Sequence, residues 1–173
     1  MRRAFLVAAI VLLGVVAASG QDKPHIQTVL FVCEHGSAKS VIAAAHFNRL
    51  AERKDLPYRA IARGINPDAE IPQQVRLNLA KDGLDVAAWK PQLVAENDVR
   101  EATRVVTFGC RLPFPDKITA GKLVDWQDVS STSEDYERAR TMIVNKIDAL
   151  LKTLTPKTRT WGQIFHKGRK RCE

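Results

Sequence analysis

Along the chain, stretches with the hydrophobic pattern of buried strands alternate with stretches that have the hydrophobic period of helices. Residues 29–32 form a continuous β-prone apolar run, the pattern of a central parallel strand that is covered on both faces. Residues 38–54 follow with a broad apolar face at helical spacing and with no internal proline or glycine. The pattern therefore predicts a strand, a short turn and a helix in direct succession.

The same alternation continues over the next hundred residues. Further strands are predicted at 58–62, 104–108 and 122–126. Helices are predicted between the turn at 66–68 and Gly83, within the connector 85–96, and from Ser133 or Glu134 onward. The segment 109–117 contains two prolines and is predicted to be an irregular loop. Strands that alternate with helices imply an α/β fold, a doubly wound three-layer sandwich around a four-stranded parallel sheet.

The first 20 residues have a different pattern. A basic start is followed by an apolar run over residues 4–18, which is short for a bilayer span, and small residues precede Gln21. This pattern predicts a signal peptide at 1–20 and therefore an exported protein, periplasmic or secreted; an uncleaved membrane anchor is the alternative. No cysteine follows the apolar run, so a lipoprotein has no support. One domain is expected at 21–156 and a basic tail at 157–173.

The formal charge of +8 is unevenly distributed. Loss of Arg2 and Arg3 with the signal peptide leaves +6, and the tail contributes +5 from six basic residues and one acidic residue. The predicted domain is then nearly neutral, so no nucleic-acid partner is expected. A solvated tail is the default interpretation, and weak contact with anionic lipid or an acidic partner is the alternative.

Cys33 ends the first predicted strand and carries the main candidate chemistry. Between it and the helix lies a turn with one glycine, Gly36, so backbone N–H groups of the turn and of the first helical turn are expected to point at a common centre. These donors and the ammonium of Lys39 would stabilise a thiolate. A suitable electrophile is a tetrahedral oxyanion such as a phosphate ester or arsenate, with no metal or cofactor. The alternative is a buried strand cysteine that acts only as a small hydrophobe.

The stretch Cys33, five residues, Lys39, Ser40 resembles the active-site loop of the low-molecular-weight protein tyrosine phosphatases and thioredoxin-coupled arsenate reductases, which reads Cys, five residues, Arg, then Ser or Thr. The resemblance covers roughly residues 27–155 and includes the segments 60–67, 80–86, 104–110 and 126–128. It implies that Cys33 is the nucleophile and that Ser40 activates its sulfur. The implied oxyanion-binding residues are Glu34, His35, Gly36, Ser37, Ala38, Lys39 and Ser40.

The loop departs from the family's pattern at two positions, and a nearby residue adds a negative charge. Lys39 replaces the arginine, and an ammonium acts as a point charge where a guanidinium holds two oxygens in a planar fork. Gly36 stands where the family usually has an asparagine that braces the loop, and Glu34 adds a negative charge near the expected anion. These differences argue against efficient phosphatase turnover, although they leave the nucleophile in place.

A phosphatase also needs an acid for the leaving oxygen. The family supplies an aspartate from the loop after the fourth strand, and Asp128 matches that place, two residues after Trp126. The usual Asp-Pro pair is missing, so Asp125 and Asp116 are alternative acids, and the alternative role for Asp128 is a helix-entry carboxylate.

Cys110 ends the third predicted strand and matches the cysteine that, in the arsenate reductase branch, attacks the adduct on the first cysteine. A second cysteine that follows it in that branch is absent, and Cys172 in the tail is the remaining thiol for a relay. A reductase would also need a thiol reductant. In an oxidising compartment a Cys33–Cys110 disulfide would be an inactive or protective form of a phosphatase, or an intermediate of a reductase.

Three functions follow, in order of preference. The first is an exported cysteine-dependent phosphatase that hydrolyses phosphomonoesters, phosphotyrosine among them. The second is an arsenate reductase with a Cys33–Cys110 relay. The third is a non-catalytic oxyanion-binding module that has kept the loop while losing the arginine.

Overall fold

The computed structural model describes residues 25–154. The predicted signal peptide, the basic tail and Cys172 lie outside this range. The described chain contains four strands and four helices, with bounds β1 Gln27–Cys33, α1 Lys39–Arg53, β2 Tyr58–Gly64, α2 Gln73–Lys81, α3 Glu96–Glu101, β3 Arg104–Thr107, β4 Leu123–Asp125 and α4 Tyr136–Leu154.

The four strands form one parallel sheet in the order β2-β1-β3-β4, which confirms the predicted α/β fold. In the register of the sheet Cys33 pairs with Gly64, and Val32 pairs with Thr107. The carboxyl ends of β1, β2 and β3 therefore meet at one edge. This is the edge at which open α/β sheets bind their ligands.

Strand β1 lies at the centre because its side chains are apolar on both faces. Val29 and Phe31 belong to a core that includes residues of α1 and α4, whereas Leu30 and Val32 belong to a second core that includes Val99 of α3. All four β1 side chains are fully buried. The continuous apolar run of the sequence is thus explained by helices on both sides of the sheet.

Several element bounds differ from the sequence prediction, each for a local reason. The short helix lies at α3, after the connector, where the Asp98 carboxylate accepts a hydrogen bond from Ala95 N at 3.0 Å. Helix α2 begins after Pro72, and not at the 66–68 turn, because the side chains of Asn66 and Asp68 in that turn bind residues of the loop after β1. Helix α4 begins at Tyr136, behind Asp135, whose Oδ1 accepts from Arg138 N at 2.9 Å.

The proline-rich loop is not wholly irregular, because a 3-10 turn at Asp116–Ile118 buries the Ile118 side chain. Within residues 25–154 no helix combines the length and the hydropathy that a bilayer span requires. The same range contains no cluster of three His, Cys, Asp or Glu side chains arranged to hold a metal ion.

Candidate active site

The loop between β1 and α1 is shaped by a close contact between two glycines. Gly36 has a φ of +62°, a conformation that side chains with a Cβ rarely adopt. A Cβ placed on Gly36 would lie 2.7 Å from Gly64 N, and a Cβ placed on Gly64 would lie 2.7 Å from Gly36 N. The loop therefore rests directly on the carboxyl end of β2, and neither glycine position has room for a side chain.

Cys33 lies at the base of this loop. Its Sγ donates a hydrogen bond to Ser40 Oγ at 3.2 Å. Ser40 is fully buried and Cys33 is 7% exposed, so little of either residue is open to solvent. This contact between the predicted nucleophile and the predicted activating hydroxyl is the one that the resemblance implies.

Among the described residues, the backbone N–H groups of the loop after Cys33 have no backbone acceptor. Within residues 25–154, none of the N–H groups from Glu34 to Val41 donates to a backbone carbonyl. Ala38, which precedes α1, supplies no side-chain cap. Since the first N–H groups of a helix lack partners inside the helix and carry partial positive charge, this end of α1 favours an anion.

Two residues that the sequence treated only as turn chemistry hold the loop in place. Asp68 accepts hydrogen bonds from the Ser37 hydroxyl, lies 3.5 Å from His35 Nδ1, and donates its backbone N–H to His35 O at 3.0 Å. Asn66 donates through its backbone N–H to Glu34 O at 2.8 Å and through Nδ2 to the Glu34 carboxylate at 2.6 Å. The Glu34 charge is thus engaged by an amide at the rim of the loop.

Lys39 makes its hydrogen bond away from the loop. Its Nζ donates to Val129 O at 2.8 Å, which joins the first turn of α1 to the segment that follows β4. An ammonium has three donors, so two remain for other acceptors. The structure thus places Lys39 beside the loop and gives it a second role as a tether.

Two of the three candidate acids, Asp128 and Asp125, have partners within the fold. Asp128 pairs with Lys146 Nζ at 2.9 Å, and this hydrogen bond holds the pKa of the Asp128 carboxyl below its usual value. Asp125 accepts from Thr107 Oγ1 and from Gly109 N, both at 2.8 Å. Asp116 begins the 3-10 turn. The structure therefore gives Asp128 and Asp125 clear electrostatic or hydrogen-bonding roles within the fold.

Cys110 is brought next to the site by the pairing of β3 with β1. Its Sγ donates to Val32 O at 3.4 Å, so the thiol contacts the residue that directly precedes Cys33. Burial raises the pKa of the Cys110 thiol, and the neighbouring Cys33 and Glu34 raise it further. A cavity of about 310 Å³ adjoins Cys110 and is lined by Arg111, Phe114 and Asp116 among others. Both cysteines are free thiols.

Comparison with solved structures identifies the architecture. A low-molecular-weight protein tyrosine phosphatase from T. tengcongensis superposes with a TM-score of 0.64 at 19% identity, over 73% of this chain and 99% of that chain. The chain has the low-molecular-weight phosphatase fold. The resemblance inferred from the sequence is thereby confirmed at the level of the fold, and neither a protein-family model nor a curated sequence matches the chain.

Arsenate reductases share this phosphatase fold with the chain. The enzyme from Archaeoglobus fulgidus is 26% identical, with a TM-score of 0.57 over 72% of this chain and 98% of that chain. The thioredoxin-dependent arsenate reductase from Corynebacterium glutamicum is 24% identical, with a TM-score of 0.63 over 75% of this chain. The chain spans only 62% of the length of the Corynebacterium protein.

Proposed function

We propose that the protein is a cysteine-dependent enzyme that bonds Cys33 to the central atom of a tetrahedral oxyanion. The observation that carries this proposal is the Cys33–Ser40 hydrogen bond of 3.2 Å at a loop whose N–H groups have no backbone acceptor among the described residues. The hydroxyl stabilises the thiolate, and the N–H groups hold oxygens on which negative charge develops. The same arrangement serves phosphorus and arsenic, so the second step decides the reaction.

Displacement by Cys110 is the second step that the geometry supports best. The thiol of Cys110 lies against Val32 O, one residue from Cys33, whereas Asp128 and Asp125, two of the three candidate acids, have partners within the fold. The names of the Archaeoglobus and Corynebacterium neighbours support the same choice. We therefore place arsenate reduction ahead of phosphomonoester hydrolysis, which reverses the order that the sequence favoured.

Arsenate reduction at this site takes two substitution steps. Cys33 thiolate attacks arsenic and a protonated oxygen leaves as water, which gives an S–As bond. Cys110 thiolate then attacks Cys33 Sγ, the electron pair of the S–As bond passes to arsenic, and arsenite leaves behind a Cys33–Cys110 disulfide. Two electrons come from the two thiols, and an external dithiol reductant restores them. Burial raises the pKa of the Cys110 thiol, and the proton that it loses on attack passes to an oxygen of the arsenite that leaves.

Phosphomonoester hydrolysis is the second candidate, and the similarity to the T. tengcongensis phosphatase supports it. Cys33 would attack phosphorus, an aspartate would protonate the leaving oxygen, and water would release the phosphocysteine. This route requires a protonated carboxyl, which the ion pair of Asp128 with Lys146 opposes. Export of the protein stays part of the proposal on the pattern of residues 1–20.

Two assays on the full-length chain separate the candidates. Arsenite formation from arsenate is measured with a dithiol reductant, and release of a chromogenic phenol is measured with an aryl phosphate. The variants are Cys33→Ser and Cys110→Ser, with Cys172→Ser as a matched control. Arsenite formation that is lost in the first two supports the reductase, with a two-cysteine relay if it is kept in Cys172→Ser and a three-cysteine relay if it is lost there too.

The other outcomes are equally informative. Phenol release that is lost in Cys33→Ser and kept in the other variants would identify the protein as a phosphatase. Absence of both activities, together with phosphate binding, would leave only the non-catalytic oxyanion-binding module.

A further inference from the structure

A second cavity lies along the edge strand β2 and has no part in the chemistry proposed above. Its volume is about 250 Å³, and its walls come from β2 residues 59–63, from α1 and from the segment 88–92. Of the loop residues 33–40, Gly36 alone lines it. The cavity thus adjoins the active-site loop but does not contain Cys33.

The backbone of β2 presents an unused donor to this cavity. Alternate residues of β2 direct their backbone groups away from β1. Ala60 exchanges hydrogen bonds with the Asn48 side chain at 2.7 and 3.1 Å, and Gly64 bonds Gln92 O and Val94 N. Ala62 lies between them, so its N–H also points outward. Ala62 O accepts from Arg63 Nη1 at 2.9 Å, but within residues 25–154 Ala62 N–H has no acceptor.

Among the described residues, Ala62 N–H lacks an acceptor because the segment before Leu93 does not continue to pair with β2, which leaves a gap beside this strand. A single parallel bridge joins Gly64 to Leu93, and no further pairing with β2 continues toward residue 88 in the described chain. The place where a fifth strand would offer a carbonyl to Ala62 is therefore open. A ligand bound in this gap would supply the acceptor oxygen that the Ala62 N–H lacks.

The charged side chains among the described residues that line the cavity are all cationic. Arg59 and Lys90 line the cavity, both are exposed, and neither pairs with a carboxylate among residues 25–154. Arg63 also lines it but is neutralised by Asp98, at 2.9 and 3.2 Å. No aspartate or glutamate contributes to the wall. Two uncompensated positive charges and an amide donor therefore surround one small space.

We propose that this cavity is an accessory binding site for a small oxyanion. An oxygen of the anion accepts from Ala62 N–H, and the remaining oxygens are held by the Arg59 guanidinium and the Lys90 ammonium. Inorganic phosphate and a free carboxylate share this chemistry. The site does not include Cys33, so its test is independent of the proposed enzymatic function.

The test is a titration of the ¹⁵N-labelled full-length chain, followed by backbone amide resonances. Inorganic phosphate is the first probe and acetate the second. We expect the Ala62 amide to shift to saturation with a midpoint that differs from the midpoint of the loop amides at Gly36 and Ser37. A shift with both probes indicates a general oxyanion site, and a shift with phosphate alone indicates a tetrahedral one.

Two double variants make the result specific. Arg59→Gln with Lys90→Gln removes both cations and is expected to weaken the Ala62 response at least about tenfold while loop shifts persist. Arg138→Gln with Lys152→Gln removes the same charge from exposed positions on α4 and is expected to change neither response. The proposal is overturned if the Ala62 amide does not shift, if it follows the loop midpoint in every variant, or if the two double variants behave alike.

Discussion

Gly36 and Gly64 face each other so closely that neither has room for a Cβ, which would lie 2.7 Å from the other residue's backbone nitrogen. One glycine belongs to the loop above Cys33 and the other ends β2. Their contact fixes the height of the loop over the sheet. The position of the loop that follows Cys33 thus depends on a residue of a different strand.

Substitution of Gly64 tests this dependence. Gly64→Ala is expected to lower the free energy of unfolding by about 2–3 kcal/mol, because backbone atoms must move to admit the methyl group. Urea denaturation measures the change. Gly121→Ala is the control, since Gly121 has a φ of +74° and no neighbour within 4 Å, so only its backbone strain of about 1 kcal/mol is expected. Equal costs at the two positions would show that the glycine contact is loose.

The tether from Lys39 to Val129 leads to a second prediction. Lys39→Gln removes the ammonium that donates to Val129 O at 2.8 Å, so the segment after β4 should open more often. Amide hydrogen exchange over residues 127–132 is expected to accelerate about tenfold. Lys90→Gln, which removes an exposed lysine without a described partner, is expected to leave the rates unchanged. Unaltered exchange in Lys39→Gln would assign no tethering role to the lysine.

Ser40 provides a third prediction. Ser40→Ala removes the hydroxyl that accepts from Cys33 Sγ in a fully buried position. A hydrogen bond to a charged group is worth about 1.5–3 kcal/mol, so the turnover rate is expected to fall about 10- to 100-fold. Ser40→Thr keeps the hydroxyl and is expected to restore most of the rate. If Ser40→Ala retained full activity in either assay, the hydroxyl would have no part in activating the sulfur.

Stability is expected to fall in mild acid because of His46. This side chain of α1 is buried, its Nε2 lies 3.4 Å from Asp82 Oδ2, and burial lowers its pKa in spite of the opposing effect of Asp82. The unfolded chain therefore binds a proton at His46 more readily than the folded chain does. The stability that neutral His46 contributes is complete above its unfolded pKa of about 6.5 and is lost as pH falls toward the folded value.

Urea unfolding at a series of pH values between neutrality and mild acid measures this contribution. His46→Gln is expected to reduce the decline in the free energy of unfolding over that range. Parallel declines in the two proteins would assign the acid sensitivity to other groups.

The parts of the fold that the sequence predicted are those in which apolar pattern and packing coincide. The buried run of β1 and the apolar face of α1 sufficed to place Cys33 and Ser40 at a strand end and a helix start. The hydrophobic pattern does not reveal α3, because this helix has six residues and buries only Val99. One buried position is too few for a helical period to be recognised. Its stability comes from the Asp98 cap, which is a local contact that hydrophobic spacing does not reveal.

The missed parts of the site depend on which turns become neighbours. Asn66 and Asp68 read as turn residues, and their contacts with Glu34, His35 and Ser37 arise only because β2 pairs with β1. Asp128 was placed in the correct segment, but its pairing with Lys146 of α4 depends on how that helix packs. A useful signal was the pair of polar residues Asn66 and Asp68 soon after β2, at the edge of the sheet where Cys33 lies.

Protection of Cys33 by an oxyanion tests the central claim most directly. The full-length chain is treated with iodoacetamide in phosphate or in chloride at equal ionic strength, and the alkylation of Cys33 is followed by peptide mass spectrometry. With phosphate at ten times its dissociation constant, we predict that the alkylation rate of Cys33 falls about tenfold, because the bound anion covers the sulfur. Equal rates in phosphate and chloride would mean that no oxyanion settles above Cys33, and would contradict the account.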